Sequence, residues 1–461
     1  MAATKSALSA GAIGACAALS IAIVPARGET LADAMVTAYL NSPEVASQRA
    51  TIKTFSELAV QERSGNRPTV SGTASFTSEL DDFDQVEFPT TLSLNLTQAL
   101  YTGGQVENAI EAAETRLTSQ DVLLLATEQA VLLDTITAYS DVLRDMEFVD
   151  LGVNNVRVLS EQLRAARERF EVGEVTRTDV EQARASVAAA RSSLAANRGA
   201  LKVSQESYFR VVGERPGDLA PVPPLPDLPA SREEAVQLAL RNDPSLIAAR
   251  LEREATGSDV RSAIGALLPQ VSLLGELSRT DTVRGDFGAD TDLSVGVSVT
   301  FPFYTGGFNF SNVREAQASV EGAQADITAA ERDAAQDVGI AWADLEVARA
   351  SIEAGILEVQ AAQLAFDGVQ EEAKVGARTT LDVLDAEEDV LEARADLVEA
   401  RRDEYVASYT VLETIGMLTI DHLGLDIGDV STTVEYYEGV KNRNFGYDPT
   451  DDTVWSLSWR P

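Results

Sequence analysis

The residues that could do chemistry in this chain are carboxylates. Asp382 and Asp385 stand three positions apart, so a helix would carry both on one face. Spacing alone favours a structural reading of that pair. Thr379 can open a capping box whose third-position acid is Asp382, with Asp385 a solvated side chain. Enzymatic chemistry has little else to draw on. Cys16 and His422 are the only cysteine and histidine. An intrachain disulfide is therefore impossible, and no zinc-type ligand set, Cys-His pair or Ser-His-Asp triad assembles convincingly. His422, beside Asp421, reads as a surface or packing residue. No catalytic residue, metal or cofactor is expected.

Charge narrows the partners. Against 37 basic residues stand 73 acidic ones, a formal net charge of −36. Such a surface repels nucleic acid, so no nucleic-acid partner is expected. It suits cationic solutes or a basic partner. Residues 1–28 read as a signal peptide, with Lys5 ahead of a small, apolar run from Ala7 to Val24 and a cleavage site at Val24-Pro25-Ala26. Ile13-Gly14-Ala15-Cys16 loosely resembles a lipobox, but the apolar run continues past it. Beyond the signal, no apolar run long enough for a membrane helix is expected.

The elements that must position any site come in two matched sets. Tyr101-Thr102-Gly103-Gly104 returns as Tyr304-Thr305-Gly306-Gly307. The same shift carries Val172-Gly173 onto Val375-Gly376, Asp179-Val180 onto Asp382-Val383 and Gly213 onto Gly416. The period is far longer than that of a small solenoid unit, so each copy is a whole structural half. The expected division is a first repeat over 29–215, a proline-rich linker over 216–231, a second repeat over 232–418 and a tail over 419–461. In each half a helix broken by proline (Ser42-Pro43, Asp243-Pro244) leads into two alternating strands. In the first half these surround Val70–Phe76 and Leu92–Leu96; in the second they run over Val271–Arg279 and Leu293–Phe303. Acidic loops join the strands. The double glycines Gly103-Gly104 and Gly306-Gly307 turn each second strand into a helix of ~65 residues, about 100 Å long. A turn at Val172-Gly173-Glu174, or at Val375-Gly376-Ala377, leads to a second helix. At the level of local chemistry these two turns need only a glycine that tolerates positive φ. The tail after Ile420 reads as irregular and acidic, packing along the outside or fraying.

Four strands of about 9–11 residues match tilted membrane strands in length. Each has one apolar and one polar side. Four strands cannot close a barrel, and open edges in lipid leave backbone groups unpaired at several kcal/mol each. Other copies of the chain would have to complete the wall. Tyr101, Phe301, Phe303, Tyr304, Phe308 and Phe310 cluster at one strand end, where an interfacial belt would sit. Small residues such as Ala183, Ala188, Ala329 and Ala334 stripe the long helices, which would pack side by side into a hollow cylinder. A water-soluble sheet covered by helices, and a coiled-coil structural or surface protein without a pore, are the alternatives. A rod has no use for the four strands.

The order of signal, helix, hairpin, Tyr-Thr-Gly-Gly, long helix, Val-Gly turn and helix, all repeated, resembles the TolC family of outer-membrane channels. The most specific match is the run from Val375 to Ala386, VGARTTLDVLDA. The resemblance implies an α+β membrane protein. In it a homotrimer forms a twelve-stranded β-barrel in outer-membrane lipid, continued by a twelve-helix α-barrel through the periplasm. It implies a passive exit duct for a tripartite efflux pump or type I secretion system. The partners would be a periplasmic adaptor and an inner-membrane transporter, ABC-type or proton-driven. By the same resemblance, Asp382 and Asp385 match the acidic rings of the periplasmic entrance, and Asp179 and Arg378 match a latch that holds it shut. Val172, Gly173, Glu174, Val375, Gly376 and Ala377 match the adaptor-contacting tips. Ala373 stands where the family's latch has a tyrosine, which implies a differently wired lock.

Overall fold

A computed structural model describes residues 28–77, 79–80, 86–87, 89–282, 290–428 and 433–443. The expected signal peptide up to residue 27, the middles of both strand loops and the tail aromatics Phe445, Tyr447, Trp455 and Trp459 lie outside the described residues. In chain order the elements are α1 (Leu31–Asn41), α2 (Pro43–Ser64), β1 (Thr69–Phe76), the two-residue strands β2 (Glu79–Leu80) and β3 (Val86–Glu87), β4 (Pro89–Tyr101), α3 (Gln105–Glu171) and α4 (Arg177–Val212). They continue with α5 (Arg232–Asn242), α6 (Pro244–Gly265), β5 (Gln270–Thr282), β6 (Asp290–Thr300), α7 (Phe308–Lys374), α8 (Thr380–Thr414) and α9 (Thr433–Val440).

Local chemistry sets most boundaries. Ser42 and Asp243 cap α2 and α6 through their side chains, with Pro43 and Pro244 at the first helical position. α3 and α7 each run 67 residues, about 100 Å at 1.5 Å per residue. Each begins at a glycine in the left-handed region, Gly104 at φ 82° and Gly307 at φ 86°. A residue with a Cβ would be strained there, which explains the double glycines.

Four strands form one antiparallel sheet in the order β1-β4-β5-β6, and the short β2 and β3 pair with each other in a separate two-stranded one. β1 has 8 residues, β4 and β5 have 13 and β6 has 11, so the lengths vary more than alternation suggested. α3 packs against α4, and α7 against α8.

The main core lies where the short helices meet the long ones. Tyr139, Tyr208, Leu132, Ile136, Leu412 and Ile415 are buried there with Leu31, Ala38 and Ala235. The proline-rich segment is tied into this core. Tyr139 Oη donates to the carbonyls of Glu29 (2.9 Å) and Ala220 (2.6 Å), and Tyr208 Oη donates to Glu29 Oε1 (2.5 Å). Glu29 Oε2 accepts from the Gly217 amide. Burial pushes the Tyr139 hydroxyl up to about 12, so it stays a donor at any physiological pH.

Two expectations need correction. α3 contains an 18-residue stretch apolar enough to cross a membrane by composition, with mean hydropathy 1.3 and 39% of it buried. Val131, Leu132, Ile136, Tyr139 and Val142 of the same helix turn their side chains into the main core, which accounts for apolar character without a bilayer. The tail is not wholly irregular, because α9 packs on α2. Tyr436 Oη donates to Glu57, Tyr437 Oη donates to Glu114 (2.7 Å), and Arg67 donates to the carbonyls of Lys441 and Arg443.

Candidate functional site in the strand wall and helix tips

Residues paired directly across an antiparallel ladder share a face of the sheet. Gly72, Leu94, Leu277 and Leu293 therefore form one row, and Val70, Leu96, Gly275 and Val295 the next. The opposite face carries Ser71, Asn95, Glu276 and Ser294, then Thr73, Ser93, Ser278 and Asp292. Thr73 and Ser93 hydroxyls meet at 2.6 Å on that side. One surface is thus oil-like and the other water-like across all four strands, with Leu274 the main exception on the polar side. The apolar side is bare within the protomer: Leu293 is 75% and Val295 73% exposed. Isolated apolar residues on a surface need no explanation, but a continuous sheet face of them does. Lipid outside and water inside supply it.

At the helix end of the wall, Phe303 is 92% and Tyr304 88% exposed, with Tyr101, Phe308 and Phe310 exposed nearby. Phe301 and Phe303 stack with ring centroids 5.7 Å apart. This is the composition of an interfacial belt. β1 and β6 are the sheet edges, each paired on one side only.

The turn glycines connect wall to helices unequally. Gly103, φ 69°, lies against the end of α6: a Cβ there would sit 2.5 Å from the Gly265 carbonyl oxygen and 2.8 Å from Leu268 Cβ. Nearby, Arg116 of α3 donates to Glu252 (3.1 Å) and Asp259 of α6. Gly306, φ 65°, and Gly307 have the same conformation with open space around them.

The two helix tips share one design. At the first, Gly173 (φ 83°) closes α3, with Gly173 N donating to Phe170 O and Glu174 N to Arg169 O. At the second, Gly376 (φ 78°) does the same, with Gly376 N to Ala373 O and Ala377 N to Glu372 O. Positive φ is required by these Schellman-type closures. Val172 and Val375 are 70% and 81% exposed, apolar residues held out at the extremity of long rods.

Just beyond each tip a threonine-aspartate capping box starts the return helix. Thr176 and Asp179 form it in α4, and Thr379 and Asp382 in α8. Asp382 Oδ2 accepts from Thr379 N and Oγ1, both at 2.8 Å, and Asp382 N donates back to Thr379 Oγ1 at 3.2 Å. The backbone and hydroxyl donors of Thr379 hold the Asp382 carboxyl below its ordinary value, so it is charged at neutral pH. Asp385 is exposed one turn along the same helix. The structural role expected of Asp382 is therefore present, and its charge remains.

Asp179 and Arg378 are not joined within the protomer. Asp179 Oδ2 accepts from Thr176 N and Oγ1. Arg378 Nε donates to Glu372 Oε2 at 2.8 Å, six residues back across the tip. Glu372 was not singled out by sequence; a carboxylate one turn before the closing glycine was the available signal. Deeper between the helix pairs, Leu384 of α8 packs among Leu159, Leu163, Ala166, Ala183 and Val187 of α3 and α4. Among the described residues no cluster of histidine, cysteine and carboxylates could hold a metal ion.

The outer membrane efflux protein family model matches residues 35–214 and 235–416. Outer membrane efflux protein BepC of Brucella suis biovar 1 is 36% identical over 427 residues, covering 92% of this chain and 93% of that protein. Outer membrane protein TolC of Escherichia coli K12 is 27% identical over 312 residues, covering 64% and 63%. Among solved structures, VceC of Vibrio cholerae matches with a TM-score of 0.73 at 20% identity over 84% of this chain and 96% of that one. CusC matches with a TM-score of 0.75 at 17% identity over 84% and 92%. The structural likenesses show the fold. The family model and the 36% identical relative, with the two-faced wall, the aromatic belt and the long helices, lead to one conclusion: the chain belongs to the outer membrane efflux protein family, as an outer-membrane exit channel of efflux systems that extends into the periplasm.

Proposed function

We propose that three copies of this chain close a twelve-stranded barrel continued by a twelve-helix tunnel. The unfinished sheet carries this reading: β1 and β6 are both unpaired on their outer sides, and lipid tolerates only closed walls. The duct is passive and catalyses nothing. It serves a tripartite efflux pump or type I secretion system, in which an inner-membrane transporter, ABC-type or proton-driven, supplies energy and chooses cargo. A periplasmic adaptor bridges transporter and duct. The two tips, alike in their glycine closure and each ending in an exposed valine, support the adaptor contact. The chain works as two structural halves, 29–215 and 232–418, joined by 216–231.

At the entrance, Asp382 and Asp385 from each chain form two stacked acidic rings that favour cations. Asp179 and Arg378 act as the latch between neighbouring chains in the ring, with Glu372 holding Arg378 in place. With Ala373 at the tip, the lock relies on these charges rather than on an aromatic hydroxyl. The test is neutralisation of both aspartates, Asp382→Asn with Asp385→Asn, in planar bilayers under a salt gradient. The reversal potential should shift toward that of a non-selective pore, and block by multivalent cations should weaken. An unchanged reversal potential would remove the rings.

A further inference from the structure

One polar contact joins the two helix pairs near the tips. Gln162 Nε2 of α3 donates to Glu387 Oε2 of α8 at 2.5 Å, across 225 residues of sequence. Gln162 lies between Leu159 and Leu163, whose side chains grip Leu384. Glu387 lines an adjoining groove with Asn154, Val158, Gln363, Phe366 and Arg394. Within each pair the long helices pack against each other. Between the pairs at this level, the seam among the described residues is this small cluster with this hydrogen bond. Splaying the tips to widen an entrance must open it.

The seam has an unmet demand. Gln162 Oε1 is buried and has no hydrogen-bond partner. An ionised carboxylate only accepts, so it can satisfy the amide nitrogen and never the amide oxygen. A protonated Glu387 would do both: its O–H would donate to Gln162 Oε1 while its carbonyl oxygen accepts from Nε2. That is a cyclic acid–amide pair with two bonds in place of one, and it removes a buried orphan acceptor. The surroundings favour the proton. Burial pushes Glu387 up to about 7, against the pull of the Gln162 hydrogen bond and the positive charges of Arg157 and Arg394. Among the described residues, the charged groups facing it are these two. Arg157 of α3 is shared with Glu161 at 3.5 Å, and Arg394 of α8 donates to Gln363 of α7 at 2.8 Å. α4 presents Ala183, Val187 and Ala190 to the seam.

We propose that Gln162 and Glu387 form a proton-operated joint between the two helix pairs, tightened by protonation and loosened by its loss, which ties the width of the tunnel entrance to periplasmic pH. It rests on the reading of these tips as a channel entrance. Separating the pairs hydrates Glu387 and returns it toward its ordinary value of 4.5, so opening releases a proton. Opening is hardest below that value, where both states are protonated. It becomes easier as pH rises toward about 7, and the gain levels off above it. Each unit of difference between seam and water changes the opening equilibrium about tenfold per chain.

The test compares the full-length parent channel with Glu387→Gln, which keeps the shape and a two-bond amide pair but cannot ionise. Conductance of the parent in planar bilayers should rise between about pH 5 and about pH 7 and then flatten. Glu387→Gln should hold the low-pH conductance throughout. Parent-minus-variant infrared difference spectra should show a protonated carboxyl band that persists to near neutrality, a readout independent of transport. A variant that keeps the parent's pH slope, or a carboxyl band already lost at about pH 5, overturns the joint. A parent that conducts without any pH slope also overturns it while leaving the channel intact. Failure of both proteins to conduct at all would instead strike the channel reading, and the infrared band would still decide the proton.

Discussion

Gly306→Ala should weaken the proposed trimer, whereas Gly103→Ala should destabilise the single chain. Both glycines are in the left-handed region, φ 65° and 69°, where a side chain costs roughly 1–2 kcal/mol. Gly103→Ala also drives a Cβ to 2.5 Å from the Gly265 carbonyl oxygen, adding an overpacking cost of about 1–3 kcal/mol. A Cβ on Gly306 meets nothing within 4 Å in the protomer. A ring built by repeating the α3-to-α6 contact between chains changes that. The Gly306 turn then meets the end of α2 in the next chain, near Gly65, as Gly103 meets Gly265. The φ strain is the same in free and assembled chains and cancels from the assembly equilibrium. The contact cost does not cancel, and three joints per trimer make it about 3–9 kcal/mol. The assay is the denaturant midpoint for trimer dissociation in detergent, by size-exclusion chromatography with light scattering, beside helix content by circular dichroism. A Gly306→Ala trimer that dissociates at the parent's midpoint would refute the repeated contact.

The entrance charges give two linked expectations. Arg378→Ser should raise single-channel conductance by loosening the latch, and a conductance equal to the parent would remove Arg378 from it. Glu372→Gln should move conductance in the same direction by a smaller step, because it removes the group that holds Arg378 across the tip; a fall in conductance would contradict that role.

Most of the architecture was legible because it is written in local signals. Alternation over Leu92–Leu96 and Leu293–Val299 marked strands that the ladder pairs confirm. The double glycines and the Thr379 cap marked helix ends to within a few residues. What escaped depends on residues far apart in sequence. α9 has little helical pattern of its own and is held by Glu57, Glu114 and Arg63 of α2 and α3. The proline-rich segment read as a plain connector, yet Tyr139 and Glu29 fasten it to the core through bonds that span 81 and 188 positions. At the tips, the family resemblance pointed Arg378 toward Asp179, and the protomer gives it Glu372. The tight closure at Gly376 brings that carboxylate within reach, while Asp179 is engaged by its own cap. Gln162 and Glu387 carry no local signal at all; only the packing of α8 against α3 brings them together.

The proposed channel needs each chain to be an open third of a wall. The direct measurement is the mass of the complex extracted from outer-membrane fractions, by native mass spectrometry after detergent removal. Three chains per particle is the predicted result. A stable single chain in lipid, or a particle of two, would contradict it.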